Sequence, residues 1–329
     1  MKKRIVLIFR ILLFIILGLG VHFLMSYQHP GIDDTFSPIF PAIHNDRIIF
    51  EDHADWTHAN LVLFNNTTQE FLPFEGGNVT RYRPDIYGEV VVWQEKSDLI
   101  WQICMKNLTS GEIKQVYSSP FRKTTPKVSG NYVVFVDERY GYEDIVLINL
   151  SSGEEEIISH VPEIQWQPDI DKDWIVWEDW RNGAHSRGDI FAYHIPSRTE
   201  VQVTNTTWGD WFPGVSSGWV VWQSQKYGNF DIFAMNLTSR QEIRITTDPS
   251  RQWLPRISGD QVVWIDERNG NWDIYGYNIT SRKEYQISSG PDNEAWPDIS
   301  NGTVVYVEYT KRMIPYLIVK TFPDSGSII

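Results

Sequence analysis

Cysteine is all but missing from this chain of 329 residues: Cys104 stands alone, so no internal disulfide can brace the fold. Its neighbours Ile103 and Met105 place it in a β-rich run, the setting of a buried, inert thiol rather than a nucleophile. Positive charge is also scarce. Against 42 Asp and Glu there are 29 Lys and Arg, and the formal net charge of −13 excludes nucleic acid and anionic lipid as partners, because both would be repelled. Apolar runs long enough to cross a bilayer are absent after the first 25 residues. The one such run, Ile5–Met25, is apolar except for Arg10, His22 and a few glycines, and follows Met1-Lys2-Lys3-Arg4. At about 1.5 Å per residue it matches a hydrocarbon core of roughly 30 Å.

The positive charges ahead of that run place the N-terminus in the cytoplasm and the rest of the chain outside it. The run ends Val21-His22-Phe23-Leu24-Met25-Ser26, without the small-residue pattern of a cleavage site. The expectation is therefore an uncleaved signal anchor, a transmembrane helix over residues 1–26, followed by a linker over 27–40 and a single-pass protein in the cell membrane. No cysteine follows the apolar run, which excludes a bacterial lipoprotein anchor.

What the chain has in abundance is a repeat. A proline followed two places on by an apolar residue begins at Pro41-Ala42-Ile43 and returns at Pro84, Pro126, Pro168, Pro213, Pro255 and Pro297, at intervals of 43, 42, 42, 45, 42 and 42 residues. A period of roughly 40–45 residues holding four short strands is that of a β-propeller blade, which cannot bury both faces of its sheet alone and must stack on neighbours. The unit Pro255–Trp296 shows the grammar. Pro255–Ser258 is an inner strand, Gln261–Ile265 a second strand rich in β-branched and aromatic residues, Asp273–Asn278 a third and Glu284–Ile287 an outer strand. Seven starts predict an all-β, seven-bladed propeller over residues 41–329. The last outer strand is expected at Ser327–Ile329, because Pro30 and Pro38 suit an N-terminal edge strand poorly.

Acceptor triplets for N-glycosylation recur at one repeat position, the turn after the third strand: Asn65, Asn107, Asn149, Asn236 and Asn278. Asn-Leu-Thr-Ser-Gly is good turn chemistry in its own right. Alternatively glycans cover this face and leave the opposite one for partners. On that opposite face the loops before the inner strands carry Trp166, Trp211 and Trp253, with Tyr82 and Trp296 as variants. A ring of indoles suits stacking on sugars or gripping a peptide; the competing reading is that each fills the wedge between two blades. The hairpin loops of the same face carry Asp137-Glu138-Arg139, Asp179-Trp180-Arg181 and Asp266-Glu267-Arg268, with Asp144, Asp189 and Asp273 following. Paired carboxylates invite a glycosidase or metal reading, but a set repeated in blade after blade reads better as Arg–Asp bridges closing hairpins.

Two further motifs lose force in context. Gly214-Val215-Ser216-Ser217-Gly218 matches the nucleophile elbow, yet it falls on an inner-strand turn where no helix follows. The stretch Asp52-His53-Ala54-Asp55-Trp56-Thr57-His58 gathers metal-ligand residue types without metal-ligand spacing and reads as a solvated loop, with His185 on a similar loop across the ring. No cofactor is expected.

The run Val262-Val263-Trp264-Ile265-Asp266-Glu267-Arg268-Asn269-Gly270-Asn271-Trp272-Asp273-Ile274-Tyr275, with Asn278-Ile279-Thr280-Ser281 and Gln286-Ile287-Ser288 after it, resembles the repeat of TolB-like propeller proteins, in particular the surface-anchored, sequon-rich versions of archaea. The resemblance covers Pro41 to about Val319. It departs from TolB itself, which has an additional N-terminal domain and six blades. Peptidases and pectin lyases use related propellers, but no peptidase domain fits here and no histidine set of the lyase kind can be matched. The resulting expectation is a non-catalytic cell-surface module that binds protein or glycan on the face bearing Trp166, Trp211 and Trp253. The alternative is a polysaccharide-active enzyme, lyase or glycosidase, using carboxylates and His53 or His58 on that face.

Overall fold

Each second strand is an unbroken apolar run because both faces of a propeller blade are covered. In Gln261–Asp266 the side chains of Val262, Val263, Trp264 and Ile265 are all 0% exposed, whereas a half-buried strand would alternate. The computed structural model describes residues 23–25 and 38–323, apart from 56–57, 73, 75–78, 98–99, 118, 183–186 and 312–314. It forms seven four-stranded antiparallel sheets, each with its strands in chain order from the axis outwards, except at the closing blade. The inner strands of blades one to seven are Pro38–His44, Thr80–Tyr87, Lys123–Ser129, Gln165–Asp171, Asp210–Ser216, Gln252–Ser258 and Asn293–Ser300. The core lies between blades in seven clusters. Ile43, Phe50 and Phe64 of blade one, for example, pack with Val305, Leu317 and Val319 of blade seven.

Every inner strand bulges at its proline. The preceding residue (Phe40, Arg83, Thr125, Gln167, Phe212, Leu254 or Trp296) has φ between 48° and 57°, in the left-handed region, and the pairing register shifts there in all seven blades. Such a conformation costs on the order of 1 kcal/mol or more and persists only where neighbours fix it. Here the exposed amide is tied to the preceding blade. Arg83 N donates to Glu51 (2.7 Å), Thr125 N to Gln94 (3.0 Å), Phe212 N to Glu178 (2.7 Å) and Leu254 N to Gln223 (2.8 Å). Lower on the joints, Asp85, Asp169 and Asp298 accept from Val128 N, Val215 N and Ile43 N, and Ser129, Ser216, Ser258 and Ser300 accept from Lys172 N, Gly259 N, Asn301 N and Asn45 N.

The structure corrects two expectations. The inner strands begin about three residues before their prolines, so Trp166, Trp211 and Trp253 lie within strands rather than in loops. Blade seven is closed by Phe23–Met25, which pairs antiparallel with Pro315–Thr321, while Ser327–Ile329 lies outside the described residues. The expected membrane helix over 1–26 also lies outside them, except for that strand, and among the described residues no helix is long and apolar enough to cross a membrane. The recurrent asparagines do cap turns: Asn65, Asn107, Asn149 and Asn236 each accept through Oδ1 from the amides two and three residues on, and Asn278 from Ser281 N.

Candidate active site

The repeated carboxylates of the hairpin face are engaged in holding hairpins. Arg139 lies 2.6 Å from both Asp137 and Glu155, Arg181 2.6 Å from Asp179 and 2.7 Å from Glu200, and Arg268 2.6 Å from both Asp266 and Glu284. Asp137, Asp179 and Asp266 are wholly buried. The bridges were legible as Arg–Asp pairs, but their second partners on the outer strands, Glu155, Glu200 and Glu284, were not. Blade five splits the task between Lys226–Glu242 (3.0 Å) and Arg244–Asp231 (2.7 Å). Gly214–Gly218 runs from the inner strand Asp210–Ser216 into a hairpin turn, Ser217-Gly218, at positive φ and on to the next strand, and Ser216 Oγ accepts an amide of the next blade, so no nucleophile elbow is present.

Among the described residues one histidine–carboxylate dyad stands at a joint between blades; another, His160 Nδ1 3.0 Å from the buried Asp144, lies in blade three with its ring half exposed. The second strand of blade one runs through Arg47–Asp55, so the expected solvated loop at Asp52–His53 is strand. This places His53 Nε2 2.8 Å from Glu51 Oε2, with the Glu51 side chain fully buried and that of His53 12% exposed. Glu51 occupies the joint position held elsewhere by Gln94, Glu178 and Gln223, and its other oxygen takes the Arg83 amide. Burial pushes its carboxyl above the usual range, against the bonds from His53 and the Arg83 amide. The Tyr82 ring lies 5.4 Å from the His53 ring and 5.4 Å from Trp101. The side chain of His58, and all of His185, lie outside the described residues. His53 was readable as a candidate; Glu51 was hidden because its position looks purely architectural.

Arg83, whose amide Glu51 holds, lines the axial mouth, a cavity of about 580 Å³, open solvent at its mouth included, to which six blades contribute, with Phe40, Lys127, Arg256, Trp296 and Asp298 among its other residues. Arg83 stacks on Phe40 at 4.0 Å, and Phe40 meets Trp296 at 4.4 Å. Trp296 Nε1 donates to the Tyr309 hydroxyl at 3.2 Å. Below them Lys127 pairs with Asp85 at 2.9 Å. Burial opposes charge on Lys127, but Asp85, Asp169 and Asp298 outweigh it and raise its pKa. Burial lifts Asp298 to about 6, with Lys127 and Arg256 pulling the other way.

Of the five aromatic residues singled out from the sequence, Tyr82 and Trp296 therefore border the dyad and the mouth. Trp166 is packed against the core between blades three and four. Trp211 lies over Gly209, where a Cβ would stand 1.9 Å from the ring, and meets Phe230 edge-on. Trp253 meets Trp272 edge-on, and its indole nitrogen is enclosed. All three are half-buried. The rings that stand out from this face are Phe121, Tyr140, Tyr142, Trp208 and Tyr227; Tyr140 and Tyr227 hold the same place in hairpin loops of equal length, as Phe121 and Trp208 do in the loops before inner strands.

No family model matches this chain, and no curated protein sequence matches it. Solved structures do. The propeller domain of the trilobed protease from Pyrococcus furiosus, described as having an open velcro topology, is similar with a TM-score of 0.68 at 12% identity over 89% of this chain and 98% of that one. An oligogalacturonate lyase in complex with manganese gives a TM-score of 0.67 at 12% identity over 93% and 98%. A putative TolB from Agrobacterium tumefaciens gives 0.53 at 14% identity over 79% and 96%. The manganese of the lyase finds no ligand set here, since among the described residues no three His, Cys, Asp or Glu side chains are grouped to hold a metal ion. These neighbours correct the expectation of a non-catalytic binding module, because the architecture recurs in a protease and in a lyase and no sequence relative supports a purely scaffolding role. What such identities establish is the fold, a seven-bladed propeller with TolB-like propellers among its structural neighbours.

Proposed function

We propose that this chain is a polysaccharide-active enzyme, a lyase acting on uronate-containing saccharides, with Glu51, His53 and Tyr82 at its reaction centre. The observation that carries the reading is the His53–Glu51 pair, an imidazole oriented by a buried carboxylate that also holds the amide of Arg83 at the axial mouth, in the one blade that has a histidine at this position. With Nε2 engaged by Glu51, Nδ1 is the ring atom left to take a proton. In a β-elimination His53 Nδ1 removes the proton α to the sugar carboxylate. The electron pair so released forms the double bond, and the glycosidic oxygen departs with a proton from the Tyr82 hydroxyl. The similarity to oligogalacturonate lyase supports the reaction class. A glycosidase would need two free carboxylates across one bond, and Asp137, Asp179 and Asp266 of the hairpin face are each bound to an arginine.

The test is incubation of the full chain with oligogalacturonides. A rise in ultraviolet absorbance from unsaturated uronate ends is expected, and His53→Ala should reduce the rate by about 100-fold or more. New reducing ends without absorbance would mean hydrolysis, and neither signal would refute the assignment.

The setting we propose is the outside of a membrane, as in anchored archaeal propellers, with residues 5–22 in the bilayer and Phe23–Met25 already in blade seven. The positive charges before the apolar run support this orientation. The native protein should stay with membranes through a high-salt wash. A mature N-terminus beyond the apolar run would overturn the anchoring.

A further inference from the structure

The arginines of this acidic chain are placed with care. Those on the hairpins reach carboxylates, as Arg47 does to Glu89 and Arg81 to Glu95, and others, such as Arg187, Arg240 and Arg282, are exposed to water. Among the described residues Arg83 and Arg256 are the two half-buried arginines with no carboxylate within 4.0 Å. Both line the axial mouth, one from blade two and one from blade six. Arg83 rests on the Phe40 ring, and Arg256 Nη1 donates to its neighbour's carbonyl, Pro255 O, at 2.9 Å. The acidic residues beneath, Asp169 and Asp298, feel the charge of Arg256 through space but form no ion pair with it within 4.0 Å. Asp85, Asp169 and Asp298 each give one oxygen to an amide of the next blade, and Asp85 gives the other to Lys127.

Two guanidinium groups held half out of water without an ion pair, with Arg83 feeling the charge of Arg256, are costly unless an anion joins them. Burial weakens the hold of Arg83 on its proton, Glu51 restores part of it, and Arg256 weakens it again. The planar fork of arginine suits a carboxylate. Beside the pair stand Phe40 and Trp296 at 4.4 Å, an apolar wall of the kind on which a sugar ring rests. We infer that the axial mouth is the carboxylate subsite of this enzyme, in which Arg83 and Arg256 hold the acid group of a uronate residue and Trp296 with Phe40 supports its ring. This rests on the saccharide reading for the identity of the ligand, but the anion site itself is independent of turnover. It also supplies the charge neutralisation that proton removal next to a carboxylate requires.

The experiment is calorimetric titration of the full chain with galacturonate and with its methyl ester, monosaccharides that have no glycosidic bond to lose, with KM then measured on the oligomer. Galacturonate should bind and the ester should bind at least about tenfold more weakly. Arg256→Ala should weaken galacturonate binding by about 10- to 100-fold at an unchanged melting temperature, with Arg256→Lys in between. Equal binding of acid and ester to the unmutated protein would overturn the inference whatever becomes of the variants. Tighter binding of a peptide with a free C-terminal carboxylate than of galacturonate would overturn its saccharide identity. Acid-selective binding without product would leave the subsite standing and refute the lyase. Product formation with an unchanged KM in Arg256→Ala would do the reverse.

Discussion

Replacing Glu294 by glutamine should stabilise the propeller in alkaline solution and do little in acid. Glu294 lies on the inner strand of blade seven, 1% exposed, accepting a hydrogen bond from Ser288 Oγ at 3.1 Å, while Ser288 Oγ accepts from Ile274 N. Burial, reinforced by Asp273 and Glu308, raises its pKa from 4.5 to about 8. The folded state therefore binds this proton more tightly than the unfolded chain does. Stability is full below the unfolded pKa and declines as pH rises from about 4.5 toward about 8. At about 1.4 kcal/mol per unit the loss is on the order of 3–5 kcal/mol, reached by pH 9. Glutamine removes the titration and fits, because Gln252 holds the same position in blade six, fully buried, with its amide donating to Ser250 O at 2.9 Å. The carbonyl of Asp292 stands in the equivalent place. Thermal melts followed by circular dichroism should give equal midpoints at pH 5, to within a degree or two, and a gain of about 6–12 °C at pH 9. A gain that did not change with pH, or that grew toward acid, would refute the reasoning.

Arg268→Ala should cost about 2–4 kcal/mol in urea unfolding, since it strands the buried Asp266, which keeps only the Trp264 indole (3.0 Å) and one backbone amide; the rate on saccharide should not change. Gly209→Ala should lower the melting temperature by several degrees, because the new methyl meets the Trp211 ring at 1.9 Å and the ring must leave Phe230; an unchanged melt would show that the ring is not fixed there.

The repeat made the architecture readable, down to the strand limits of blade six, where Asp273–Asn278 agrees with expectation to the residue. The Arg268–Asp266 bridge was readable because its two members are neighbours in sequence. Glu284 was not, because hairpin length, set by turns that carry no code of their own, decides which outer-strand residue faces Arg268. The dyad failed to declare itself for a similar reason. Glu51 sits in a column of residues whose amide-accepting role glutamine fulfils equally well, as Gln94 and Gln223 do. Only the bend that returns His53 onto it distinguishes blade one. The axial subsite is more distant still, since Arg83 and Arg256 lie four blades apart along the chain and come to line one mouth only when the ring has closed.

The joint between blades seven and one uses the same side-chain-to-amide bonds as the joints inside the chain, with Asp298 holding Ile43 N and Ser300 holding Asn45 N as Asp85 holds Val128 N and Ser258 holds Asn301 N. Covalent continuity is thus incidental to which two blades are neighbours. A circular permutant opened in the Asp248–Ser250 loop, with the former ends joined by a linker that keeps Phe23–Met25 beside Pro315–Thr321, should keep the joint between blades seven and one and the same mouth. The ring has an order of blades but no obligatory first one, and its breakpoint is a matter of descent rather than of mechanics.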